Sequence, residues 1–162
     1  MKILITGIYG QDGRILDKKL SQNKYQKFGL VRKKKSLLLN KNTKIIEDDL
    51  SNIFKIIKHI RDIKPDIIIH LASNNTGATL IDNFYNYYLS NVLSYLRLFF
   101  SYLFFSKNSK FIFAGSSMMF DNLNKKKVDE DTNFSSNSYY GLYKIHCHKI
   151  SILLKKLFNL KF

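Results

Sequence analysis

The chain has one cysteine, one proline and no tryptophan among its 162 residues. A single thiol, Cys147, excludes an internal disulfide and fits a reducing, cytoplasmic setting. The lone proline, Pro65, leaves no room for a proline-rich linker, and no internal repeat or low-complexity segment divides the chain. Acidic residues are scarce: 12 Asp and Glu stand against 27 Lys and Arg, a net charge of +15. Such an excess can serve nucleic acid or an anionic membrane. Here the lysines are spread along the chain among Asn, Ile, Phe and Tyr, and no nucleic-acid-binding motif accompanies them. They read as A+T-rich codon drift, and the runs Lys33–Lys35 and Lys125–Lys127 as solvated loops. A long unbroken apolar run is also missing. The most apolar stretch, Tyr87–Phe105, contains Asn91 and Arg97, so it suits a buried or interface helix rather than a membrane span. No secretory pattern precedes the first structured segment.

What is present is 45% apolar residues, enough for one domain with a real core. Glycine is rare, seven in all, yet three fall at Gly7, Gly10 and Gly13, directly after the apolar run Lys2–Thr6. A buried strand followed by glycines at this spacing is built to hold a dinucleotide. The glycines allow a sharp turn, close approach of backbone to a pyrophosphate and tight packing of the next helix. The phosphates then meet the N-terminus of a helix starting near Asp12–Gly13, where free N–H groups and the helix dipole favour negative charge.

Strand and helix signals alternate from there. Strands are expected at Lys2–Thr6, Gln26–Val31, Lys44–Ile46, Asp66–Leu71 and Lys110–Ala114. Helices are expected at Ile15–Asn23, at Ser51–Ile63 with Ser51 as N-cap, at about Asn83–Phe105 and at about Ser138–Phe158. Such alternation implies an α/β fold, a doubly wound parallel sheet of about five strands with right-handed crossovers.

The end of the second strand selects the dinucleotide. Proteins that bind NAD carry an acidic residue about 20 positions past the glycines, bonded to the ribose 2′-hydroxyl. Here that region reads Val31-Arg-Lys-Lys-Lys-Ser36, and no acidic residue lies between Asp17 and Glu47. A cationic cluster suits a 2′-phosphate, so NADP is expected, with NAD possible. Arg32 is the best candidate, because its planar fork matches phosphate.

Tyr140-Gly-Leu-Tyr-Lys144 places a phenol and an ammonium four residues apart on one helix face. The ammonium stabilises a phenolate, so Tyr140 can exchange a proton with a sugar hydroxyl while a nicotinamide takes or gives hydride. Phe111-Ile-Phe-Ala-Gly-Ser-Ser117 is a strand ending in serines at the sheet's carboxyl edge, where Ser116 or Ser117 can bond the reacting oxygen.

Taken together, Thr6-Gly-x-x-Gly-x-x-Gly13, Asp49-Leu50, His70-Leu-Ala72, Asn91-Val92, Ser116 and Tyr140-x-x-x-Lys144 resemble the extended short-chain dehydrogenase/reductases. These are the NAD(P)-dependent nucleotide-sugar epimerases and dehydratases. The opening Ile5-Thr-Gly-Ile-Tyr-Gly-Gln-Asp-Gly13 and Gly29-Leu-Val-Arg32 are most similar to the GDP-mannose 4,6-dehydratase branch, and Val128–Thr132 matches the loop before the family's tyrosine. The resemblance implies a Rossmann-like domain over residues 1–162, a nucleotide-sugar substrate and a catalytic set of Ser116, Tyr140 and Lys144. It also implies a cofactor site that includes Tyr9, Gln11, Asp12 and Leu71 beside the glycines. Asp49 and Leu50 would meet the adenine, Ala72 would line the pocket, and Lys144 would also bind the nicotinamide ribose.

Two departures qualify the match. The dehydratases carry a glutamate two positions after the Ser/Thr, where this chain has Met118, which cannot move a proton. Gly115-Ser-Ser117 looks more like the GDP-fucose synthase branch, although Met118 replaces that branch's cysteine too, and Phe120-Asp121 replaces the usual Tyr-Gly. The chain also stops at Phe162, where a sixth strand is expected, so the C-terminal substrate domain is expected to be absent and an alternative reading is a silent dinucleotide-binding fragment that needs a partner. His146, Cys147 and His148 point in different directions on a helix and form no metal site. His59 reads as a surface residue and His70 as a packing one. The stripe Tyr87, Tyr88, Tyr95, Phe99, Tyr102 and Phe105 reads as core or interface, and the family's helix-bundle contact implies a homodimer in which Tyr95 and Phe99 participate.

Overall fold

A computed structural model describes residues 1–73, 84–120 and 127–159. Asn83, Asp121, Lys125, Lys126 and Phe162, named above, lie outside the described residues. The elements run β1 (Lys2–Thr6), α1 (Gln11–Lys19), β2 (Gln26–Val31), β3 (Thr43–Glu47), α2 (Ile53–Ile63), β4 (Ile67–His70), α3 (Phe84–Phe105), β5 (Lys110–Phe113), a 3₁₀ turn (Ser117–Met119) and α4 (Tyr139–Phe158). The strands form one sheet in the order β3-β2-β1-β4-β5, every neighbouring pair parallel. The expected α/β, Rossmann-like architecture is therefore present.

Strand alternation sorts the core into two layers. Leu4, Leu30, Ile68 and Phe111 face α2, α3 and α4, packing against Ile56, Ile60, Tyr95, Phe99, Tyr102 and Tyr143. Ile3, Ile5, Val31 and Ile69 face the other way, toward Leu16 and Leu20 of the α1 region. On the α1 side of the sheet a buried ion pair ties the helix to the strands. Lys27, wholly buried on β2, donates to Asp17 of α1 at 2.7 Å, and Asp17 in turn accepts from Thr43 of β3 at 2.5 Å and from the Asn40 N–H at 2.8 Å.

Several boundaries differ from the sequence expectation. The first helix begins at Gln11 and ends at Lys19, not Ile15–Asn23, because Gly13 lies inside it and lets it start immediately after the turn. The cap of α2 is Asn52, whose side chain accepts the Lys55 N–H, rather than Ser51. Strand β3 is longer than expected, and β4 and β5 are shorter. Ser138 caps α4, accepting the Gly141 N–H at 3.0 Å. The expectation that Tyr95 and Phe99 contribute to a dimer contact is corrected: both are fully buried in the chain's own core. The apolar side chains that α3 and α4 expose include Leu93, Phe100, Phe104, Leu153 and Leu157 instead. Among the described residues no helix is long and apolar enough to cross a membrane.

Candidate functional site

Successive strands lead leftward from β1 to β3 and then rightward to β4 and β5, so the sheet's direction of growth reverses between β1 and β4. The crevice outside the carboxyl ends of these two strands is where open α/β sheets bind ligands. Gly7 ends β1 there with φ +77°, a left-handed conformation that side chains avoid. A Cβ on Gly7 would lie 2.6 Å from the Ala72 nitrogen, so the turns after β1 and β4 touch backbone to backbone. Thr6 fastens the same junction, its hydroxyl 2.7 Å from His70 Nδ1 and accepting the Ala72 N–H at 3.2 Å. His70 is buried and stacks on Phe113; burial, with the nearby Lys144 charge, pulls its imidazole down to about 3. It is a neutral packing residue at physiological pH, as the sequence suggested.

Gly10 is the N-cap of α1 and donates to the Gly7 carbonyl at 2.9 Å. No side chain caps this helix, and Gln11 and Asp12 are exposed in its first turn. A Cβ on Gly13 would meet Gly7 O and Ile8 at 2.6 Å, so only glycine lets α1 lie this close to the turn. An uncapped helix start, reached by a turn that side chains would block, fits a pyrophosphate. Tyr9 extends the cradle outward: its hydroxyl lies 3.4 Å from both backbone polar atoms of Lys35, joining the glycine turn to the basic loop. Arg32 and Lys33–Lys35 are all exposed there.

The other predicted cofactor residues line the same edge with different roles. Asp49 is exposed, and its carboxylate accepts the Ser51 N–H at 2.8 Å, shaping the turn into α2. Leu50 is a core residue beneath it. Leu71 packs on the α1 side of the sheet and Ala72 on the opposite side, so the segment crosses the edge at the crevice.

The chemistry-bearing residues come from β5, the 3₁₀ turn and α4. Ser116 caps the 3₁₀ turn, its hydroxyl accepting the Met118 N–H at 3.2 Å. Met118, where the sequence resemblance led to the expectation of a glutamate, is exposed. Tyr140 is half-buried, its ring edge-on to Tyr143 at 5.2 Å. Lys144 is buried; its Nζ lies 5.7 Å from the Tyr140 ring centroid but donates its hydrogen bond to the Ala114 carbonyl, at 2.7 Å. Burial pulls this ammonium down to about 8, with Cys147 acting in the opposite sense. A lysine charge lowered by burial is less favoured in the folded chain, so its contribution to stability is full above about 10.5 and is lost as pH falls through about 8. Lys144→Met is expected to flatten the rise in stability between those two values, measured as urea midpoints at pH 7.5 and 10. An unchanged pH difference would show that Lys144 is solvated.

Three features of the site escape a linear reading. Gly141 is pressed so closely on the 3₁₀ turn that a Cβ would lie 2.0 Å from Met118 O. This contact brings the Ser116 turn against the start of the Tyr140 helix. Tyr143 donates to Ser73 at 2.8 Å, tying α4 to the loop after β4; its place one turn from Tyr140 was the available signal. Glu47 reaches the basic loop, accepting the Lys34 N–H at 3.2 Å. An open groove of about 1150 Å³ between α2 and α3 lies at the opposite, amino edge of β4 and β5, away from all these residues.

Residues 4–162 match the family model described as GDP-mannose 4,6 dehydratase. Among solved structures, the chain is similar to the UDP-glucose 4-epimerase of Thermotoga maritima, solved with UDP-glucose, at TM-score 0.86 and 21% identity, covering 99% of this chain and 53% of that one. It is also similar to the UDP-glucuronic acid 4-epimerase of Bacillus cereus, solved with NAD, at TM-score 0.80 and 25% identity, covering 99% and 54%. The UDP-Glc/GlcNAc 4-epimerase of Campylobacter jejuni gives TM-score 0.84 and 22% identity, over 96% and 49%. The chain spans about half the length of these solved relatives.

Proposed function

Because the chain belongs to the GDP-mannose 4,6 dehydratase family, we propose that it is the dinucleotide-binding part of an NADP-dependent enzyme that modifies a nucleotide-sugar, a GDP-mannose-derived one by its opening motif. The observation that carries the reading is the packing of Gly7 on Ala72 at the reversal point, with Lys144 held at the end of β5 on the same edge. The glycine turn and first turn of α1 would hold the pyrophosphate, and Arg32 the 2′-phosphate. A bound nicotinamide would supply hydride exchange with a sugar carbon. Tyr140 takes or returns the hydroxyl proton, Lys144 favours the phenolate, and Ser116 orients the oxygen. Met118 offers no acid or base for elimination of water, which favours epimerase or reductase chemistry over dehydration. A reducing, cytoplasmic setting fits the single buried thiol.

The test is a fluorescence titration with NADPH and NADH. Saturable NADPH binding is expected, weakened about tenfold by Arg32→Ala as a charge-assisted phosphate contact is lost, with NADH little changed. A folded chain that binds neither would overturn the reading.

A second reading, a silent dinucleotide-binding unit that needs a partner for the substrate half, draws on the outer side of β5. That strand is an edge among the described residues, beside an open groove of about 490 Å³ lined by Ile112, His148, Ser151 and Ile152. An exposed parallel edge is a template for another strand. The row Leu93, Phe100, Phe104, Leu153 and Leu157 is the face that a second copy would cover in a homodimer.

A further inference from the structure

The rule that reads cofactor preference looks for a carboxylate at the end of the second strand, and here finds Arg32. The register of the sheet supplies a carboxylate from the neighbouring strand instead. Val31 and Glu47 are paired residues on β2 and β3, so Glu47 stands at the carboxyl edge beside the residue that precedes Arg32. Its side chain is exposed and turns over the basic loop, where Oε2 accepts the Lys34 N–H at 3.2 Å. Among the described residues no ion pair includes Glu47. The next residue, Asp48, is paired with Lys55 at 3.3 Å and lies 3.0 Å from His59 Nε2, and Asp49 is committed to the Ser51 N–H. Glu47 is thus the carboxylate left facing the loop that would receive the ribose.

We propose that Glu47 sets the dinucleotide preference of this site. Its carboxylate accepts a ribose 2′-hydroxyl, as an acidic residue on β2 does elsewhere, and opposes a 2′-phosphate in two ways. It brings a like charge to the phosphate, and it occupies a backbone N–H that a phosphate oxygen needs. The basic loop and Glu47 pull in opposite directions, so the site accepts both NADP and NAD. The inference rests on the dinucleotide reading above.

The experiment measures NADPH and NADH dissociation constants for the full chain, for Glu47→Gln and for Arg32→Ala. Glu47→Gln keeps the acceptor for the Lys34 N–H and removes the charge. It is expected to tighten NADPH about threefold to tenfold, the scale of one partly solvated like charge, while NADH is unchanged or weaker. Arg32→Ala is expected to move the ratio of the two constants in the opposite direction. A loosened loop weakens both dinucleotides by the same factor, so an equal change in both, or no change, overturns the role of Glu47. Should Arg32→Ala weaken NADPH while Glu47→Gln leaves the ratio untouched, the NADP site stands and this inference alone fails. A folded wild-type chain that binds neither dinucleotide overturns both.

Discussion

Asp17→Ala is expected to destabilise the chain by about 3–5 kcal/mol, the usual cost of leaving one member of a buried pair without its partner. Lys27 is 0% exposed, and its Nζ is held by the Asp17 carboxylate and the Asp17 carbonyl, both at 2.7 Å. Without the carboxylate, a full positive charge remains in the sheet with one neutral acceptor. Thr43 and the Asn40 N–H lose their partner as well. Against the 5–15 kcal/mol that stabilises a typical domain, this change removes a large fraction. Burial raises the Asp17 carboxyl, but the bonds from Lys27, Thr43 and Asn40 outweigh it and hold it below the ordinary 3.8. A depressed carboxyl stabilises fully above its unfolded value and loses that contribution as pH falls through the folded one. The wild-type chain should therefore lose stability below about pH 4, and Asp17→Ala should lack that acid transition. Urea midpoints with unchanged slopes, at pH 7 and pH 3, measure both effects. Asp17→Leu combined with Lys27→Met removes both charges and should recover most of the loss. A single-variant cost under about 1 kcal/mol would mean that Lys27 finds water when its partner goes.

The sequence made the fold legible because its signals agree: a strand, then glycines, then alternating helical and extended patterns. What it could not resolve depends on three-dimensional context. Ser51 and Asn52 are both capping residues, and the geometry of the Asp49 turn, not propensity, decides for Asn52. Helix α3 is apolar on nearly every side, so periodicity could not say which aromatic face is inward. Tyr95 and Phe99 lie in the core, while Leu93 and Phe104 face out. Gly13 reads as part of a turn because glycine is a poor helix former, yet here it is helical because Ile8 lies where a side chain would go. The Tyr140–Lys144 spacing was plain, but the Ala114 carbonyl that takes the lysine's bond comes from the residue after β5, distant in sequence. Glu47 was invisible for a similar reason, since cross-strand register has no linear motif.

Gly13→Ala and Gly141→Ala are expected to break the two halves of the site separately. On Gly13 the added methyl meets backbone on three sides, Gly7 O, Ile8 Cα and Ile8 O, each at 2.6 Å. None of these atoms can swing aside as a side chain would, so α1 must shift away from the turn, and the first-turn N–H groups move with it. Dinucleotide affinity should fall more than about tenfold, with about 1–3 kcal/mol of stability lost to overpacking. On Gly141 the methyl would sit 2.0 Å from Met118 O and from Ser136 Oγ, closer still. The serine can rotate, but the carbonyl belongs to the turn that Ser116 caps. Relief there requires Ser116 and Tyr140 to move apart, while Gly7, Gly10 and Gly13, on the far side of the crevice, keep their places. Gly141→Ala should therefore lower stability by a comparable amount and speed amide exchange at Met118 and Met119, yet leave NADPH affinity within about threefold of wild type. If both variants lose the dinucleotide equally, the glycine cradle and the Tyr140 helix behave as one unit, and the division of the site between β1–α1 and β5–α4 is wrong.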